Sequence, residues 1–192
     1  MIHSFIIVDC RQAIVEAGVC SEAEAALAAT VDYLNDQDEL DVFYLIPAES
    51  PDETAPSEEP GAGQRFRLFG RGHIEQLMPV CFDEAVERTD YRPGNERLYT
   101  VSAVQTADRG RVETMWDLEM AANADGRCLT DQIRQHVTVC GLDGSGLLEP
   151  LVQTLLDGGH YVDLLAEGIA FKTGDDQAER VKTLIELGAT VL

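Results

Sequence analysis

Short β-branched apolar runs, spaced by segments with helical periodicity, constrain this chain more than any other feature of its sequence. The pattern is clearest in the last third: VTVCG at 137–141 reads as a buried strand entering a glycine turn, 147–156 as a helix, and YVDLL at 161–165 as a strand. Residues 175–187 then form an amphipathic helix stopped by Gly188, and 189–192 a last short strand. The front of the chain repeats the theme. SFIIV at 4–8 is apolar on both faces, as a central parallel strand is, and DVFYLI at 41–46 is a second strand ended by Pro47. Between them Ser21 and Glu24 form a capping box that predicts a helix carrying Leu27, Val31 and Leu34 on its apolar face. LYTVSAV at 98–104 is a further strand, and 112–122 and 129–134 have helical spacing on either side of an Asp125-Gly126 turn. Alternation of this kind implies a three-layer α/β/α sandwich with a mostly parallel sheet of about six strands.

The chain has 192 residues, which fits a single domain spanning 1–192. Residues 47–64 (PAESPDETAPSEEPGAGQ) lack periodicity and read as a solvated acidic loop, and 65–97 holds only short ambiguous pieces at RFRLF and CFDEAVER. Acidic residues outnumber basic ones 35 to 14, for a formal net charge of -21. A field of that sign repels phosphate backbones and anionic membranes, so neither nucleic acid nor a membrane is an expected partner. Five scattered cysteines without a CxxC pair, and no long apolar stretch, point to a reduced, cytoplasmic setting.

The segment VTVCGLDGSGLLEPLVQTLLDGGHYVDLL admits two readings. Gly141, Gly144 and Gly146 could form a dinucleotide loop at a helix N-terminus, with Glu167 as a ribose ligand, which would make the protein a nucleotide-binding oxidoreductase. The spacing is GxxGxG rather than GxGxxG, and only 46 residues follow Gly146. The other reading is a resemblance over most of the chain. VCGL at 139–142, GHYV at 159–162, EGIA at 167–170 and GATVL at 188–192 follow the order and spacing that close the isochorismatase-like cysteine hydrolases. IIVDCRQAI at the front resembles the strand of that family that ends in V-D-x-Q.

The resemblance implies an isochorismatase-like fold, a homo-oligomer, and a site at the C-terminal strand ends built from Asp9, Leu142, Asp143, Ser145 and Leu147. It puts Asp9 at the catalytic aspartate and EGIA at a turn of the pattern Asp-Ala-x-Ala. Relatives use a cysteine thiolate as nucleophile, an aspartate as proton acceptor and donor, a lysine and backbone amides. Here Leu147 stands where the nucleophilic cysteine belongs, and no lysine precedes Lys172. Pro47, Ala48 and Glu49 replace the D-x-H metal motif of nicotinamidases, and His3, His73, His136 and His160 lack ligand spacing, so neither metal nor cofactor is implied.

Substitutes for the nucleophile are poor. Cys140 lies within a strand and reads as a buried core residue, Ser145 has no histidine placed beside it, and Cys10 directly follows Asp9 and would point to the opposite sheet face. Asp9 itself reads equally as a strand-end carboxylate bonded to loop amides, and Met115, Trp116 and Met120 as core or interface. Three functions are carried forward. The first is a catalytically inactive homologue that binds a small molecule or a protein. The second is an active hydrolase of a small metabolite, with Asp9 as general acid and the turn amides as oxyanion site. The third is the oxidoreductase.

Overall fold

The computed structural model describes residues 3–37, 40–48, 97–108 and 111–192. Most of the acidic 47–64 loop and nearly all of 65–97 lie outside them. In chain order the elements are β1 (His3–Val8), α1 (Gln12–Glu16), α2 (Ala23–Asp36), β2 (Leu40–Pro47), β3 (Leu98–Val101), β4 (Ala103–Asp108), β5 (Arg111–Trp116), β6 (Ala122–Asn123), β7 (His136–Asp143), α3 (Leu148–Asp157), β8 (Tyr161–Phe171), α4 (Gln177–Leu187) and β9 (Thr190–Val191). Short 3-10 turns at Leu118–Met120 and Leu129–Asp131 flank β6.

One seven-stranded sheet runs β6-β3-β2-β1-β7-β8-β9, parallel throughout except for the β3–β6 pair. The strand beyond the expected six is β6, two residues whose pairing no periodicity could announce. β1 and β7 lie at the centre, and the chain leaves them in opposite directions, β1 towards β2 and β7 towards β8. Under the right-handed rule for parallel crossovers, such a reversal puts helices on both faces and leaves a crevice at the C-terminal ends of β1 and β7. The strands bury both faces: Phe5, Ile6, Ile7 and Val8 are fully buried, as are Val137, Val139 and Cys140.

Gly141 makes the central pairing possible. It lies beside Val8 with φ +124°, and a Cβ there would stand 2.1 Å from the Val8 carbonyl oxygen. Further along, β8 holds its register with β7 from His136↔Tyr161 to Val139↔Leu164 and resumes at Gly141↔Ile169, so its extra residues bulge out. The EGIA segment at 167–170 therefore belongs to a bulged strand, not to a turn.

Three further expectations are corrected. The 112–122 helix is absent: RVETMW pairs antiparallel with β4, from Ala103↔Trp116 to Asp108↔Arg111, as a separate hairpin. Alternating Val, Thr and Trp satisfy period two as well as the i, i+3 spacing, and only the cross-strand partner decides between them. The helical spacing at 129–134 shrinks to the 3-10 turn Leu129–Asp131. The Ser21–Glu24 capping box does not form either. Cys20 bridges Lys172 and the Ser21 amide donates to the Phe171 carbonyl at 3.1 Å, so the chain is tied to the end of β8. α2 begins only at Ala23, after Glu22 in left-handed conformation with φ +57°.

Candidate functional site

Asp9 follows β1 and Asp143 ends β7, so two carboxylates meet at the crevice between the central strands. Both are almost completely buried, 1% and 2% exposed. Asp9 has φ +45°, a conformation that aspartate tolerates better than most residues, and its amide donates to the Leu45 carbonyl at 2.9 Å. Its carboxylate receives a two-pronged pair from Arg11, with Nη2 3.1 Å from Oδ2 and Nε on Oδ1. Burial pushes the Asp9 carboxyl above the usual carboxylate range; the Arg11 hydrogen bonds and charge oppose that shift, and Asp143 adds to it.

Asp143 does different work. Its Oδ1 accepts the amides of Leu147 at 2.7 Å and Leu148 at 3.1 Å, capping α3 from four residues upstream. Its Oδ2 accepts no hydrogen bond and has an ion pair with Arg180 Nη2 at 3.5 Å. Burial raises this carboxyl too, against the two amides and Arg180. Arg180, on α4, is shared: Nη1 lies 3.1 Å from Glu149, Nε 3.9 Å from Asp175, and the guanidinium sits over the Phe171 ring at 5.4 Å.

Leu142 and Leu147 are packed in the core without exposed surface, while Ser145 stands in solvent. Leu147 occupies the mouth of α3, and its amide is already committed to Asp143. That commitment bears on two of the readings above. The amides of Leu147 and Leu148 are not available to an oxyanion. A pyrophosphate at this helix end would meet a carboxylate instead of bare N–H groups, which argues against the dinucleotide loop.

Cys140 and Cys10 are fully buried, and burial pushes the Cys140 thiol up to about 12 and the Cys10 thiol higher still. Cys20, Arg11 and Arg180 are the residues that sequence reasoning missed. A Cβ on Gly144 would lie 3.4 Å from Cys20 Sγ, so this thiol rests against the turn into α3. Burial, followed by the charges of Asp143, Asp9 and Asp175, pushes it up to about 11. At neutral pH such a thiol holds its proton and is a weak nucleophile. Arg11 was legible as the second residue after Asp9, whereas no local spacing links Cys20 or Arg180 to the turn. Among the described residues, no group of three or more His, Cys, Asp or Glu is arranged to hold a metal ion. Nor is any helix there long and apolar enough to cross a membrane.

The parallel sheet with its central switch is shared with solved structures of isochorismatase-like α/β fold. Solved structures of that fold superpose along nearly the whole chain. N-carbamoylsarcosine amidase from Thermoplasma acidophilum matches at 19% identity and TM-score 0.51, covering 100% of this chain and 95% of its own. An isochorismatase from Pseudomonas putida KT2440 matches at 12% identity and TM-score 0.54, covering 98% and 87%. PnC1 from L. infantum, solved in complex with nicotinate, matches at 15% identity and TM-score 0.52, covering 98% and 91%. No protein-family model matches this sequence, and no curated protein does.

Proposed function

We propose that this chain is a catalytically inactive isochorismatase-like homologue that binds a small molecule at the C-terminal ends of β1 and β7. One observation carries the reading: the helix mouth, where a nucleophile would stand, holds a fully buried leucine whose amide is capped by Asp143. A buried aliphatic group cannot attack a carbonyl, and Cys20, the thiol that rests against the turn, is held protonated by burial and three carboxylates. The paired charges Asp9–Arg11 and Asp143–Arg180 remain as fixed polar groups for recognition. The same reading takes 1–192 as one domain and expects it to self-associate.

A second reading has support of its own. A carboxyl raised by burial, as Asp9 is, suits a general acid, and a hydrolase that protonates a leaving group needs no thiol. The test assays nicotinamide, N-carbamoylsarcosine and isochorismate for turnover, and the same compounds plus nicotinate by thermal shift. Binding without turnover is the expected result. Turnover that disappears in Asp9→Asn would establish the second reading instead, and absence of both would remove the first. Nicotinamide nucleotides serve as a further arm, since a ligand at ~100 times its Kd stabilises by about 2.7 kcal/mol; no shift is expected.

A further inference from the structure

At the opposite end of the sheet, where the strands begin, lies a cavity of about 240 Å³ lined by His3, Tyr33, His136, Thr138, Asp163 and Leu192. Strand register explains why polar groups gather there. Phe5, Thr138, Asp163 and Thr190 stand opposite one another on β1, β7, β8 and β9, so they share one face of the sheet. His3, His136 and Tyr161 precede the first three by two residues and form the next rung on that face. Elsewhere the same strands carry Ile, Val and Leu; here an aspartate and a 98%-buried threonine occupy positions that packing alone would fill with apolar side chains.

α2 supplies the roof. Tyr33 stacks on Phe5 with ring centroids 5.2 Å apart, and its hydroxyl reaches His3 Nε2 at 3.5 Å. His136 stacks on Tyr161 at 4.8 Å, and the Thr190 hydroxyl donates to Asp163 Oδ1. Among the described residues of the lining, one side-chain carboxylate therefore stands with a phenol ring and two imidazoles, and none is a lysine or arginine.

We propose that this cavity is a second binding site, for a small organic ammonium ion bearing an aromatic or aliphatic body, with the ammonium on Asp163 and the body against Tyr33 and His136. Aromatic faces attract cations and a carboxylate pairs with them, while the net charge of -21 favours cations throughout. The volume is below the ~300–1,000 Å³ typical of drug-sized ligands, so the occupant is a small one. The site is independent of the Asp9 end and survives if the reading of that end fails.

The test uses the full chain labelled at histidine ring carbons, with benzylamine as probe and benzoate as its anionic counterpart. Saturable shifts of the His3 and His136 ring signals are expected with benzylamine and not with benzoate. Asp163→Asn is expected to weaken benzylamine at least tenfold. His136→Ala, at an exposed position, is a second variant expected to weaken it about threefold without lowering Tm. No saturable shift, an equal response to benzoate, or undiminished binding in both variants would overturn the proposal.

Discussion

Asp9 and Asp143 occupy neighbouring strand ends but answer to different partners, and each difference can be read out. For Asp9 the folded-state pKa is raised above the ordinary 3.8, chiefly by burial. The native state then binds its proton more tightly than the unfolded one, so this group makes stability fall as pH rises from about 4 through the folded value. Asn cannot titrate. The stability of Asp9→Asn relative to the parent is therefore expected to rise with pH across that window and then level off, as measured by urea denaturation between pH ~3.5 and ~7. A difference that falls with pH would show that Arg11, not burial, controls the carboxyl. Asp143→Ala removes both cap bonds on α3 and should cost about 1–2 kcal/mol; Asp143→Asn keeps an accepting oxygen and should cost less. Equal losses in thermal melts would sink the cap assignment. Sequence made Asp9 visible because it ends an apolar run. It placed Asp143 in the site turn but not as a cap, since a side chain that caps a helix four residues on resembles any other turn aspartate. Cys20 and Arg180 reach the same turn only through tertiary folding.

Among the elements, those defined by burial on both faces were legible: β1, β2 and β7 are built around short apolar runs, β8 was visible in its first half at 161–165, and α4 announces both its ends, with Asp176 accepting from the amides of Ala178 and Glu179 and Gly188 at φ +121°. What failed were segments whose partner decides their form. β5 has helical and strand spacing at once, and the start of α2 is moved by the Cys20–Lys172 bridge. Gly141 shows how tightly the central pair is drawn. Gly126 and Gly141 both have positive φ, but a Cβ on Gly126 meets nothing within 4 Å, whereas on Gly141 it enters the Val8 backbone. Gly126→Ala should cost about 1–2 kcal/mol from backbone strain alone. Gly141→Ala should cost on the order of 3 kcal/mol or more, because β1 and β7 must separate. Denaturant midpoints of the two variants test the comparison, and similar losses would mean that the close approach is not needed.

For the molecule as a whole, charge is the feature that the fold does not neutralise. The fold leaves 35 acidic against 14 basic residues on one chain, and repulsion among them opposes compaction. Ion pairs work the other way: Arg134 and Arg97 both hold Asp41, at 3.0 and 3.3 Å, and Lys182 holds Glu186 at 3.4 Å. Those pairs lie at the surface, where each contributes about 0–1 kcal/mol and is weakened by salt. Added salt therefore acts on two opposed effects. The Debye length shortens from ~30 Å at 0.01 M to ~10 Å at 0.1 M, which removes repulsion between distant carboxylates before it affects pairs in contact. Repulsion accordingly dominates, and Tm is expected to rise with NaCl over that range and to rise further towards 1 M, when followed by differential scanning fluorimetry at constant pH. A parallel series in sucrose, which strengthens burial without screening charge, should lack the steep early rise. A Tm that falls with salt would mean that paired charges, rather than the excess of acid, set the electrostatic balance of this fold.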